Sequence, residues 1–282
     1  MATESVLIPE YLSYSAVGDL SQCGELFRLG RILKVPKRPS WASVCGSAFH
    51  TATEVSDRAD FGIDLGLPLE FNDILDEMIP HLEKASGFPK SEWMISGRAN
   101  KTTPNKEDET FWRTNGPAWA RLYREWRRRS SWNVWITPDG EPAIEVELRW
   151  KIGEINVVGY VDRIMIDERN SLGVFDLKSG SREPSSGKQL ALYAKGIASR
   201  WSEAYRPEWG TYYLARSAKL TIPSYLITYD DGRFEYEFAQ SQKMIEAGNF
   251  LAYPSGLCRT CSVNRYCYTY GGEKSQEMKP YA

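Results

Sequence analysis

Apolar and polar positions alternate strictly over residues 143–150: Ile144, Val146, Leu148 and Trp150 face one way, Glu145, Glu147 and Arg149 the other. This period of two predicts a half-buried strand. Two longer apolar runs, 155–166 and 172–178, follow with a short polar turn between them and predict a hairpin. Residues 186–200 return to helical spacing, with Leu190 and Ile197 toward the sheet. Further strands are predicted at 209–214 and 222–229, and Asp231-Gly232 is predicted to turn the chain into a strand over Phe234–Phe238, before a helix near 239–250. Upstream, the pattern predicts helices over 13–34, capped by Ser13 or Ser15, over 41–60 and over 70–84. Residues 117–129 read as an amphipathic helix opened by Pro117. Trp119, Leu122, Tyr123 and Trp126 form its apolar stripe, and Arg121, Arg124 and Arg128 its basic one. The polar stretch from Ser86 to Thr110, with Pro89, Gly97 and Pro104, predicts a loop or insertion. The order predicts an α/β fold: a mixed sheet flanked by helices, with a helical N-terminal part and a cysteine-bearing tail.

The hairpin carries the candidate chemistry. Gly159-Tyr-Val-Asp162 lies on its first arm, and Asp176-Leu-Lys178 ends its second. Residues i and i+2 of a strand share a face, so Asp176 and Lys178 project together and Asp162 can join them. Two carboxylates and an ammonium on one sheet face suit a divalent cation with a water nearby. Ordinary surface charges on an exposed hairpin are the alternative.

Composition narrows the setting. A chain of 282 residues with formal net charge −2 is no polycation, so nucleic acid would be held only by local basic patches. The arginines at 121, 124 and 128, with Arg127 and Arg129, form one such patch; Arg28, Arg31, Lys34, Lys37 and Arg38 form another. No secretory signal and no membrane-spanning run is evident, which predicts a cytoplasmic protein without membrane contact. No phosphate-binding loop ending in Gly-Lys-Ser/Thr appears, which argues against ATP hydrolysis.

Three of the five cysteines crowd into Cys258-Arg-Thr-Cys261-Ser-Val-Asn-Arg-Tyr-Cys267. An odd count so clustered points to a reducing compartment and a cysteine-held metal rather than to disulfides. A fourth thiolate must come from Cys23 or Cys45, and the spacing does not separate zinc from iron–sulfur.

Taken in order, these segments resemble the PD-(D/E)xK nuclease superfamily, and within it the RecB-like nucleases with an iron–sulfur cluster. That branch includes the CRISPR-associated RecB-like exonucleases and the AddB nuclease domain. The resemblance runs from Ser13 to Cys267. Gly46-x-x-x-His50 looks like the family's first motif, Gly159-Tyr-Val-Asp162 the second, Asp176-Leu-Lys178 the third and Gln189-x-x-x-Tyr193 the one that follows. The resemblance implies a restriction-endonuclease-like fold in one nuclease domain. Residues 1–60 would carry the first cysteine and the histidine motif, 64–130 a helical insertion matching no motif, 141–238 the core and 239–282 the closing segment.

It also implies that His50, Asp162, Asp176 and the Leu177 carbonyl hold Mg2+ or Mn2+, that Lys178 assists, and that Cys23, Cys258, Cys261 and Cys267 hold a [4Fe–4S] cluster. Gln189 and Tyr193 would contact DNA. From the residues alone, Arg121, Arg124 and Arg128 are either a wall of a nucleic-acid channel or a solvated basic back, and Glu147, on the polar face of the preceding strand, is either a further support of the metal site or an exposed salt-bridge partner. Gly24 after Cys23, where the family often has proline, is a departure. Cys45 fits no ligand position and reads as a small buried residue. The implied activity is a DNA exonuclease on single-stranded ends, 5′→3′ more often than 3′→5′, serving recombination, end processing or CRISPR spacer acquisition alongside proteins of those pathways. A metal-dependent endonuclease is one alternative. A DNA-binding adaptor with a structural zinc is another. Homo-oligomer formation is left open.

Overall fold

A computed structural model describes residues 9–97, 106–180 and 182–278. Residues 98–105, part of the stretch expected to be an insertion, lie outside the described residues.

The central β-hairpin forms where the alternation and the apolar runs predict it. Strand β2 (Ile144–Ile152) pairs antiparallel with β3 (Ile155–Ile166), and β3 with β4 (Leu172–Lys178). A short β1 (Asn133–Val134) pairs with the end of β3. Helix α6 (Lys188–Arg200) crosses over to β5 (Trp209–Leu214), which runs parallel to β4. Two short antiparallel strands, β6 (Lys219–Leu220) and β7 (Ser224–Tyr225), complete a seven-stranded mixed sheet.

Helices cover both faces. On one, α1 (Tyr14–Gln22), α6 and α7 (Asp231–Glu246) bury Val17, Leu190, Ile197, Phe234 and Phe238 against Leu148, Val157 and Val161. On the other, α3 (Trp41–Ala59), α4 (Phe71–Ser86) and α5 (Glu109–Arg129) bury Phe49, Leu75, Trp112, Trp119 and Tyr123 with Leu177 and Tyr213. A third small cluster joins Leu29 and Val35 to Val263 and Tyr266 of the tail.

Four expectations change. The helix expected over 13–34 breaks at Cys23, which is extended; a four-residue α2 (Gly24–Phe27) and a π-helical turn (Arg28–Ile32) follow. Helix α5 starts eight residues before Pro117, with the Asp108 carboxylate accepting from the Phe111 N–H at 2.9 Å. A proline in a helix leaves the carbonyl four residues back without its donor. Here Asn72 of α4 donates its side-chain N–H to that Arg113 carbonyl at 3.3 Å. The strand expected over 222–229 shrinks to β7 and a 3-10 turn at Leu226–Thr228. The strand expected at Phe234–Phe238 is part of α7, capped by Asp230; Phe234, Phe238, Ser241 and Ile245 are its buried face.

Candidate active site

The strands part where the acids lie. Arg163 pairs with Phe175, and the next pair in that register would be Asp162 with Asp176, but the ladder stops there. Both carboxylates are buried at this fork, 8% and 4% exposed. The Leu177 N–H, freed from the ladder, donates to Asp162 Oδ2 at 2.6 Å. Helix α3 brings His50 to the same place: Nδ1 lies 3.4 Å from Asp162 Oδ1, and Nε2 3.1 Å from the Leu177 carbonyl. Gly46, one turn earlier, lets α3 approach the end of β4, since a Cβ there would stand 3.2 Å from Ser179 Oγ.

Asp176 and Lys178 share a face as their spacing requires, with Nζ 2.5 Å from Asp176 Oδ2. Lys178 is thus the cation that meets this buried oxygen. A buried carboxylate is costly unless such a charge meets it. Burial, and then Asp162, pushes the Asp176 carboxyl up to about 7. Burial works the same way on Asp162, but the His50 imidazolium, the Leu177 N–H and Arg163 outweigh it and hold Asp162 below its usual value. For His50, burial lowers the pKa, and Asp162 and Glu145 more than offset it, raising it to about 10. The two carboxylates thus hold a proton on the imidazole, and a cation bound there would take that proton's place.

Glu145 belongs to this group and Glu147 does not. Ligand atoms of His50, Glu145 and Asp162 all lie within 4.8 Å of one another. Asp176 stands outside that trio. Glu147 is exposed and pairs with Arg149 at 2.5 Å. Glu145 stands opposite Asp162 across the β2–β3 register and has a left-handed backbone, φ 48°. The sequence signal for its support is Arg163, a charge inside the buried run of β3 that demands acid partners.

Gln189 and Tyr193 lie one turn apart on α6, and Gln189 Nε2 donates to the Tyr193 hydroxyl at 2.9 Å. Gly159 makes room for this ring: a Cβ there would stand 2.8 Å from Tyr193 Cε1. The basic stripe of α5 divides. Arg121 and Arg128 are exposed, whereas Arg124 turns to Glu70 at 3.4 Å and Arg127 to Asp57 at 3.2 Å. In the other expected patch, Arg28 pairs with Glu25 and Arg31 with Asp19.

Four cysteines from opposite ends of the chain form a second cluster. Cys23, Cys258, Cys261 and Cys267 line one pocket. The N–H groups of Tyr253 and Ser255 donate to the sulfurs of Cys23 and Cys258, each at 3.3 Å. Burial raises the thiols of Cys261 and Cys267, so thiolates there require a cation beside them. Cys45 stays apart, fully buried on α3.

Among the described residues no helix is long and apolar enough to cross a membrane. The chain is similar to the Gene 69 protein of Mycobacterium phage D29, 28% identical over 266 residues that cover 90% of this chain and 95% of the phage protein. It is also similar to the Gene 69 protein of Mycobacterium phage L5, 25% identical over 307 aligned positions covering 95% and 99%. A family model, that of the PD-(D/E)XK nuclease superfamily, matches residues 11–268. With that match over nearly the whole chain, and with acids, lysine and histidine gathered at the sheet fork, this protein belongs to the PD-(D/E)XK nuclease superfamily.

Proposed function

We propose that this metal-dependent nuclease is a DNA exonuclease acting on single-stranded ends, with a [4Fe–4S] cluster closing its N- and C-terminal segments. The observation that carries the catalytic part is the convergence of ligand atoms of His50, Glu145 and Asp162 within 4.8 Å of one another, at the fork that also holds Asp176. His50, Asp162 and Asp176 would hold Mg2+ or Mn2+, with Glu145 and the Leu177 carbonyl completing the oxygen-rich set that such ions prefer. When bound, the cation would lower the pKa of water and offset charge building on the phosphate.

The chain's own groups do the rest. The Leu177 N–H fixes one oxygen of Asp162 and leaves the other for the cation. Lys178, with its side chain 31% exposed, can place its ammonium against water or a non-bridging phosphate oxygen while staying tethered beside Asp176. Gln189 is braced by Tyr193 and offers polar contacts at the same fork. Arg121 and Arg128 lie exposed on α5 and suit a phosphate backbone, which predicts binding that weakens steeply with salt.

Cys23, Cys258, Cys261 and Cys267 line one pocket, and N–H groups donate to the sulfurs of Cys23 and Cys258, an arrangement that suits an iron–sulfur centre, with structural zinc as the alternative. The deciding assay uses 5′- and 3′-labelled single- and double-stranded DNA and closed circles, with Mg2+ or Mn2+. Stepwise release from the ends of single strands is expected. Cutting of closed circles, or absence of cleavage, would overturn the exonuclease reading.

A further inference from the structure

Arg163 is a fully buried cation that the chemistry above does not use. It follows Asp162 on β3, and its guanidinium reaches Thr53 and Asp57 of α3, the helix that also carries His50. Each of its three nitrogens is engaged. Nε donates to Asp57 Oδ2 at 2.6 Å, Nη1 to Glu145 Oε1 at 3.1 Å and to the Asp162 carbonyl at 2.5 Å, and Nη2 to Thr53 Oγ1 at 3.4 Å. Asp57 is itself shared. The Tyr123 hydroxyl donates to its Oδ2 at 2.6 Å and Arg127 Nε to its Oδ1 at 3.2 Å. With Arg127 already offsetting Asp57, Arg163 retains charge to direct at Glu145.

Glu145 is the other half of the relationship. Its neighbours Ile144 and Val146 both pair with β3, yet its own φ is 48°, a conformation that non-glycine residues hold only when their surroundings impose it. In this conformation one carboxylate oxygen stands 3.1 Å from Arg163 and 3.8 Å from His50 Nδ1.

We propose that Arg163 is a positioning residue for the metal centre. It holds Glu145 in its turned conformation so that the carboxylate joins His50 and Asp162, and the Asp57–Tyr123–Arg127 network fixes the guanidinium in turn. The planar fork matters, because the Nε bond to Asp57 sets the direction in which Nη1 meets Glu145. A lysine would carry the charge without that direction. This inference rests on the metal-centre reading above.

The test is Mn2+ binding to DNA-free protein by titration calorimetry, with thermal melting as a control of folding, in the wild type, Glu145→Gln, Arg163→Lys and the double variant. If Arg163 acts through Glu145, each single variant weakens Mn2+ binding about tenfold. The double variant is then no weaker than either single one. Additive losses overturn the proposal, as does an Arg163→Lys protein that melts earlier yet binds Mn2+ like the wild type. If Arg163→Lys does not fold, Tyr123→Phe replaces it in the cycle, with a smaller, equally non-additive loss expected and an additive or absent one contradicting it. Wild-type Mn2+ binding that His50→Ala leaves intact would instead remove the metal-centre reading, and this inference with it.

Discussion

The backbone N–H of Leu177 donates to Asp162 Oδ2 across 2.6 Å, joining β4 to β3 just where their ladder has ended. The bond gives Asp162 two jobs, one oxygen structural and the other turned to His50, where a cation would be held. Two substitutions separate them. Asp162→Asn keeps a carbonyl oxygen for the Leu177 N–H and removes the charge. Cleavage is expected to fall at least about a hundredfold with little change in melting temperature. Asp162→Ala also strands the buried N–H, adding a stability loss of about 1–3 kcal/mol in chemical denaturation. Equal stability of the two variants would contradict this division.

Gly159 is a steric requirement of the site. A Cβ there would meet Tyr193 at 2.8 Å and Trp150 at 3.3 Å. Gly159→Ala should displace the Tyr193 ring from Gln189, cost about 1–3 kcal/mol by overpacking and lower cleavage. Urea denaturation together with cleavage rates measures both.

The metal-free protein should lose stability as pH rises through neutrality. His50, raised to about 10, binds a proton in the folded state that the unfolded chain has released above about 6.5. Its contribution is full below pH 6.5 and disappears toward pH 10. Asp176, raised to about 7, adds a loss of the same sign between its ordinary value and pH 7. Asp162, held low, acts oppositely, and its contribution is lost only on acidification. In EDTA, melting temperature should fall from pH 7 to 9.5, and His50→Gln should flatten that profile. Added Mn2+ should counter the fall, because the cation takes the proton's place on the imidazole. Identical wild-type and His50→Gln profiles in EDTA would show that the proton is not held there.

The cysteines should divide cleanly into ligands and a bystander. Cys261→Ser is expected to lose iron and visible absorbance and to melt earlier. Cys45→Ala should keep the iron at a cost of about 1 kcal/mol for a small cavity. The Cys45 thiol, pushed up to about 12 by burial, should also resist thiol reagents in the folded protein. Iron and sulfide analysis of anaerobically purified protein checks this, and stoichiometric zinc without iron would favour the zinc alternative.

How much could be read in advance follows the kind of force at work. Strands β3 and β4 match their apolar runs because burial on both faces leaves a plain signal, and the two-residue spacing of Asp176 and Lys178 carries their common face. Helix α7 is misread because Phe234-Glu-Tyr-Glu-Phe238 alternates locally like a strand. Only the longer spacing to Ser241 and Ile245, with the Asp230 cap, shows the helix. The start of α5 is hidden by Pro117, which reads as a helix opener. What permits it inside the helix is a side chain from another element, Asn72. Glu145 stands in view as a polar strand position, but its turned backbone depends on Arg163, Asp57 and α5, and no local pattern carries that.

The join between Cys23 and the tail bears on how the chain is completed. Gly24 donates its N–H to the Leu251 carbonyl at 2.9 Å, and a Cβ on it would collide with the Phe250 backbone at 2.6 Å. Arg28 also donates to the Met278 carbonyl at 3.0 Å. Contacts this distant in sequence are slow to form, since the intervening chain must be gathered first. During synthesis the segment after α1 therefore waits, uncovered, until more than two hundred further residues have left the ribosome. A chain ending before Phe250 would lack the backbone that covers Gly24 and would leave that seam open.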